Sequence, residues 1–198
     1  MKETERVAFS LLYRADCDVS GIKNSRMYAQ MLEKGLNCPL SSGMGRLFDG
    51  AAAIMNIKTR CSYEGQGAVL LEAAALEDEG EYPVVLEGEP LRFDWRPMIR
   101  AMVGDRERGT ETGLIAARFM NTLVRVGMEQ CIAARRESGI NDVVLSGGSF
   151  QNMYMMKRLP KALEKLGFRV WHHRRVSTND EGIALGQLMI AQHCAEKS

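Results

Sequence analysis

Apolar residues recur at helical spacing through most of the first two-thirds of the chain. Residues 5–15 and 24–36 read as helices, the second with Met27, Met31 and Gly35 at four-residue intervals, and the loop Asp16–Gly21 separates them. A loop through Asn37-Cys38-Pro39-Leu40 ends in Ser41 and Ser42, either of which can cap the next helix by accepting from its free N–H groups. That helix, about 43–55, carries Met44, Leu47, Phe48, Ala51, Ile54 and Met55 on one face. Arg46 and Asp49 lie three residues apart on another face, as a solvated pair would. The turn Ser62–Gly67 leads into a helix of about 67–78. Tyr82–Glu87 is β-prone, Gly88-Glu89-Pro90 turns the chain, and Leu91–Phe93 returns it. Pro97 suits the first turn of a short helix through Val103, and the charged run Gly104–Gly113 reads as an exposed loop. A long helix over 113–137 has Ile115, Phe119, Leu123 and Val126 at spacings of 4, 4 and 3, and Gly139 ends it.

The pattern then changes period. Val143-Val144-Leu145 is a strand, Ser146-Gly147-Gly148 a turn, and Met156, Leu159, Leu163 and Leu166 mark a helix behind it. Pro160 predicts a kink or restart in that helix, and Gly167 is placed to cap its end. Phe168–His172 is a second strand. The last helix, about 181–194, is expected to turn Ala184, Leu188 and Ala191 inward. Strand, helix, strand, helix from 142 to 194 implies a parallel pair whose loops gather at the strand C-terminal ends, where ligands of α/β folds sit. The expected fold is a helix-rich α/β single domain over 1–198. Residues up to about 140 are mostly helical, and about 141–194 form a β-α-β-α ligand-binding segment.

Composition narrows the function. The chain has 198 residues, 45% apolar and 26% charged, with a net charge of +1, so nothing argues for nucleic acid or an anionic membrane as a bulk partner. No apolar run reaches the roughly 18 residues of a bilayer span. The charged start Met1–Arg6 is not followed by a signal-peptide core. The 5 cysteines (Cys17, Cys38, Cys61, Cys131, Cys194) are scattered with no C-x-x-C, which fits a reducing cytoplasm better than a disulfide framework. The 3 histidines, His172, His173 and His193, lie near the C-terminus with no H-E-x-x-H, and no G-x-S-x-G elbow occurs.

The candidate chemistry sits at the loop tips. Ser146, Gly147 and Gly148 form a turn with little side chain to keep a ligand away, and backbone N–H groups there attract anions. The same residues also suit a plain tight turn. Asp180 offers a carboxylate in the neighbouring loop, yet it also stands where an N-cap belongs, before Glu181-Gly182-Ile183. Arg174-Arg175 reads either as a solvated turn or as a phosphate contact. The 13 methionines fit gap-filling in a core.

Motifs in a fixed order carry a resemblance: Ser41-Ser-Gly-Met-Gly-Arg-Leu-Phe-Asp49, Tyr63-Glu-Gly-Gln66, Leu145-Ser-Gly-Gly-Ser-Phe-Gln-Asn152, Gly167-Phe-Arg-Val, His173-Arg-Arg-Val176, and Asn179-Asp-Glu-Gly-Ile-Ala-Leu-Gly-Gln187. Together the chain resembles the C-terminal part of the hydrogenase-maturation carbamoyltransferases, the HypF family. The resemblance implies a lobe of an actin-like ATPase-superfamily fold with a mixed sheet flanked by helices. It implies an enzyme that forms carbamoyl-adenylate from carbamoyl phosphate and ATP, then carbamoylates a cysteine of an acceptor protein in nickel–iron hydrogenase maturation. It assigns nucleotide or phosphate contact to Ser146, Gly147, Gly148, Asn152, Arg46, Asp49, Glu64 and Gly65, and a divalent metal (zinc or iron) to Asp180. The family's metal-binding histidine pair and upstream nucleotide-binding domain have no counterpart here, so most metal ligands are expected outside this chain. The expected partners are the upstream half of the same protein and the acceptor protein. Two alternatives stay open: a non-catalytic interaction module or homodimer, and another actin-like phosphotransferase.

Overall fold

The computed structural model describes residues 3–196 and divides into two compact units that meet in sequence between Gly127 and Met128. The first unit is built from α1 (Thr4–Arg14), α2 (Ser25–Glu33), α3 (Met44–Ile54), α4 (Gln66–Ala74), the hairpin β1 (Val85–Glu87) and β2 (Arg92–Asp94), α5 (Arg96–Glu107) and the first part of α6 (Thr112–Ser138). Its core is Phe9, Phe48, Ile54, Leu71, Met98, Ile99, Met102, Ile115, Phe119 and Met120, all buried, with Phe48 and Phe119 in edge contact at 5.3 Å. Gly50 lets α1 and α3 approach, because a Cβ there would lie 2.2 Å from Leu11 Cδ1.

The second unit continues from α6 into β3 (Asp142–Leu145), a 3-10 turn over Gly148–Gln151, α7 (Met153–Lys165), β4 (Arg169–His172), a second 3-10 turn over Asp180–Gly182, and α8 (Ile183–Glu196). β3 and β4 pair in parallel, Asp142 opposite Arg169 and Leu145 opposite His172. The intervening α7 folds back on β4 and buries Met155, Leu159 and Leu163, and Leu145 and Phe168 of the same unit are buried as well. The Asn152 side chain caps α7 by accepting from Met155 N–H at 2.9 Å, and Asn152 itself is buried. Asn152→Ala is expected to lower stability by about 1 kcal/mol, read as a lowered urea midpoint at unchanged slope.

Several expectations change. The described residues hold two separate two-stranded sheets, one antiparallel and one parallel, in place of a single mixed sheet. Each is closed by its own local connection, a tight turn or a helical crossover. The stretch Gly104–Glu107 is helical and extends α5, because Asp105 is buried and bonded there; tertiary contacts override the charged, glycine-containing pattern. α4 stops at Ala74, short of 78. α7 runs through Pro160 without restarting, with Leu159 and Leu163 anchored on either side. Gly43, rather than a serine, is the N-cap of α3, and Ser41 Oγ instead accepts from Gly43 N–H at 3.2 Å. The expected inward face of α8 is exposed: no residue of that helix is buried.

No helix among the described residues is long and apolar enough to cross a membrane.

Candidate functional site

In the second unit, the bend after β3 and the loop after β4 are neighbours because parallel strands carry their C-terminal ends to the same edge. Gly147 N–H donates to the Thr178 carbonyl at 2.8 Å, which pins the two loops together. Gln151 Nε2 donates to Ser177 Oγ at 3.3 Å, and Ser146 Oγ lies 3.1 Å from His173 Nε2. Ser146, Gly147 and Gly148 are exposed. Gly147 has φ +100° and ψ 163°, a region essentially confined to glycine. A Cβ placed on Gly147 or Gly148 would meet nothing within 4 Å, so the bend opens onto space. The amide of Gly147 is spent on Thr178, which narrows the anion-binding expectation to the next two. Gly148 and Ser149 begin the 3-10 turn, and among the described residues their N–H groups have no backbone acceptor. Two adjacent amides at an open, side-chain-poor bend suit one phosphate group.

Asp180 is exposed and stands two residues beyond Thr178. The cap of this helical turn is Asn179, whose Oδ1 accepts from Glu181 N–H at 3.1 Å, so the capping alternative for Asp180 falls away. Asn179 already satisfies the free amide, and the Asp180 carboxylate is not needed for it. Among the described residues, no three of His, Cys, Asp or Glu gather as a metal site. One carboxylate alone does not fit a resident metal ion.

The other assigned residues belong to the first unit. Arg46 Nη1 lies 3.3 Å from Asp49 Oδ2 within α3. The pair is not solvated as expected: Asp49 is buried, and Gly67 of α4 packs against it, since a Cβ there would fall 3.2 Å from Asp49 Oδ1. Burial pushes the Asp49 carboxyl above its ordinary range, Arg46 opposes this, and the nearby charge of Glu64 adds to it. An ionised Asp49 is thus held against desolvation, and a hydroxyl donor from a ligand would relieve it. Gly65 takes φ +78° as the N-cap of α4, and Glu64 before it is exposed. Arg46, Asp49, Glu64 and Gly65 therefore form one local group at the α3–α4 contact.

A family profile described as carbamoyltransferase, Kae1-like domain, second subdomain matches residues 1–187. The chain belongs to that family. The carbamoyltransferase HypF of Synechocystis is 38% identical over 170 residues, covering 84% of this chain and 21% of the relative. HypF2 of Cupriavidus necator is 34% identical over 195 residues, covering 83% of this chain and 24% of the relative. The crystal structure of full-length HypF in its phosphate- and nucleotide-bound form superposes with a TM-score of 0.90 at 33% identity, over 98% of this chain and 27% of that one. The chain thus spans between a fifth and about a quarter of these three proteins. Its fold is that of a carbamoyltransferase subdomain.

The sequence pattern singled out the bend, Asp180 and the strand-end His172 and His173, but it gave His173 no partner and Thr178 no role. Thr178 acts through its carbonyl, which no residue type reveals. His173 carried two signals, its position just past the end of β4 and the motif His173-Arg-Arg-Val176, and neither points to Ser146.

Proposed function

We propose that this chain is the nucleotide-phosphate-binding C-terminal part of a carbamoyltransferase in hydrogenase maturation, a lobe of an actin-like ATPase-superfamily fold. The complete enzyme would use carbamoyl phosphate and ATP through carbamoyl-adenylate to carbamoylate a cysteine of an acceptor protein. The observation that carries the reading is the open diglycine bend with two adjacent amides lacking backbone acceptors. In this reading Gly148 and Ser149 hold a phosphate by backbone donation, and Ser146 borders it. Asn152 holds the start of α7 behind the bend. Taken by itself, the first unit offers Asp49 and Glu64 as acceptors for nucleoside hydroxyls, with Arg46 setting the charge around Asp49. Asp180 would supply a single carboxylate to a divalent metal, whose remaining ligands would have to come from outside this chain. A bound ATP would supply the activating adenylyl group; the bend of the second unit would bind and orient its phosphates.

The partner is the upstream part of a HypF-like protein. α8 is apolar on all sides, and Ile183, Leu185, Leu188, Met189 and Ile190 are each exposed. Val144 and Trp171 expose apolar surface on the β3–β4 pair as well, and a parallel sheet is ordinarily covered on both faces. The relatives supply several times more polypeptide than this chain.

Gly148→Trp tests the phosphate reading cleanly. Gly148 has no positive φ and open space beside it, so the indole strains nothing while filling the bend. Isothermal titration with ATP should show at least about tenfold weaker binding, with an unchanged thermal midpoint. Equal affinity for the variant and the unsubstituted chain, or no ATP binding by the unsubstituted chain, would sink the reading.

A further inference from the structure

Gly147 holds a backbone conformation that persists only where its surroundings over-determine it. Its N–H is held by the Thr178 carbonyl, and its own carbonyl accepts from Phe150 N–H at 3.0 Å. The residue before it, Ser146, is held through its side chain, and the partner is His173 Nε2 at 3.1 Å. The backbone that carries His173 is tied to its neighbour: the His172 Nδ1–H donates to the His173 carbonyl at 3.1 Å. Ser146, His172 and His173 are all exposed. Water competes for both exposed partners, so the bond keeps only the modest net worth of one hydrogen bond. Its effect is local, on the peptide that leads into the strained glycine.

We infer that His173 is a positioning residue for phosphate: through Ser146 Oγ it holds the peptide entering Gly147, so that the Gly148 and Ser149 amides are preorganised for an anion. The inference rests on the nucleotide reading above and deepens it. Preorganisation of donors improves binding by removing the ordering that a loose bend would undergo when the ligand arrives. His173 needs no contact with the ligand for this, and neither its charge nor a proton transfer is involved.

The test is a double-mutant cycle on the 198-residue chain, with ATP as probe in isothermal titration and circular dichroism to check each variant's fold. His173→Ala and Ser146→Ala should each weaken ATP by about three- to tenfold, the worth of one hydrogen bond. The double variant should be no weaker than the worse single. His173→Gln, whose amide can meet Ser146 Oγ, should recover affinity to within about twofold. Thermal midpoints should stay together throughout. If His173→Ala binds ATP like the unsubstituted chain while Gly148→Trp does not, the inference is overturned and the phosphate reading stands. Additive losses in the double variant, or no recovery with glutamine, overturn it too, since His173 would not then act through Ser146. If Gly148→Trp also binds normally, the phosphate reading itself fails.

Discussion

Replacing Asp105 with alanine is expected to lower folding stability by about 3 kcal/mol, which for a chain of this length moves the thermal midpoint by roughly 6–12 °C. Asp105 is buried and joins three partners of the first unit. Tyr82 Oη donates to its Oδ2 at 2.7 Å, Arg118 Nη1 donates to the same oxygen at 2.9 Å, and Arg108 pairs with Oδ1. Arg118 also reaches Asp78 Oδ2 at 3.2 Å, so the carboxylate ties α5 and α6 to the segment around Asp78–Tyr82. Removing it leaves a buried phenol without its acceptor and strips Arg118 of one of its two carboxylates. The Tyr82 hydroxyl is pushed well above its ordinary range, by burial first and by its bond to Asp105 second, so it stays a donor at any working pH. Tyr82→Phe removes donor and demand together and should cost less, about 1 kcal/mol.

The same carboxylate gives the stability a sign in pH. Burial by itself raises Asp105, but the bonds from Tyr82, Arg108 and Arg118 outweigh it, and the folded value lies below the ordinary one. A depressed carboxyl contributes stability that is complete above its unfolded value of about 3.9 and is lost as pH falls through the folded value. The difference in urea midpoint between the unsubstituted chain and Asp105→Ala should therefore be constant near neutrality and shrink below about pH 4. A difference that persists undiminished well below that range would show that packing, not charge, sets the loss.

The second large effect concerns α8. Leu188→Glu should leave the fold of this chain within about 0.5 kcal/mol, because Leu188 is 68% exposed and touches no core. Its effect should appear in association. When this chain is mixed with the upstream part of a HypF-like protein, a buried glutamate at the centre of an apolar helix should weaken binding by about thirtyfold or more, as expected for losing a hot spot worth 2 kcal/mol. Analytical ultracentrifugation of the chain alone separates the other occupant. Self-association that Leu188→Glu abolishes, together with indifference to the upstream part, would replace that partner with a second copy. A monomer that ignores the upstream part would remove the docking reading altogether. Ile190, 67% exposed on the same helix, offers an independent repeat of the test.

Much of this was legible in the linear pattern. The spacing of Ile115, Phe119, Leu123 and Val126 specifies α6, since a helix with one apolar stripe has few other ways to bury it. The change of period at Val143, followed by two glycines, specifies a strand and a tight bend; the parallel pairing of β3 with β4 then follows from the helix between them. Those local rules suffice because each depends on neighbours within a turn or two. They misplace the end of α5 because Asp105 reads as a surface charge until Tyr82 and Arg118 are brought to it from 23 residues before and 13 after. They misplace the face of α8 for the opposite reason. Periodicity states that apolar side chains will be covered, but not by what, and among the described residues nothing buries them.

The sequence by itself determined the element order, the family, and the glycine-lined bend with a carboxylate in the next loop. Only the tertiary structure decided which amides of that bend remain available and which residue caps the turn at Asp180. It alone decided that Asp49 is buried beneath α4 and that His173 meets Ser146. Those outcomes depend on which acceptors arrive from distant parts of the chain, and an acceptor's arrival is settled by packing, not by the identity of the residue that waits for it.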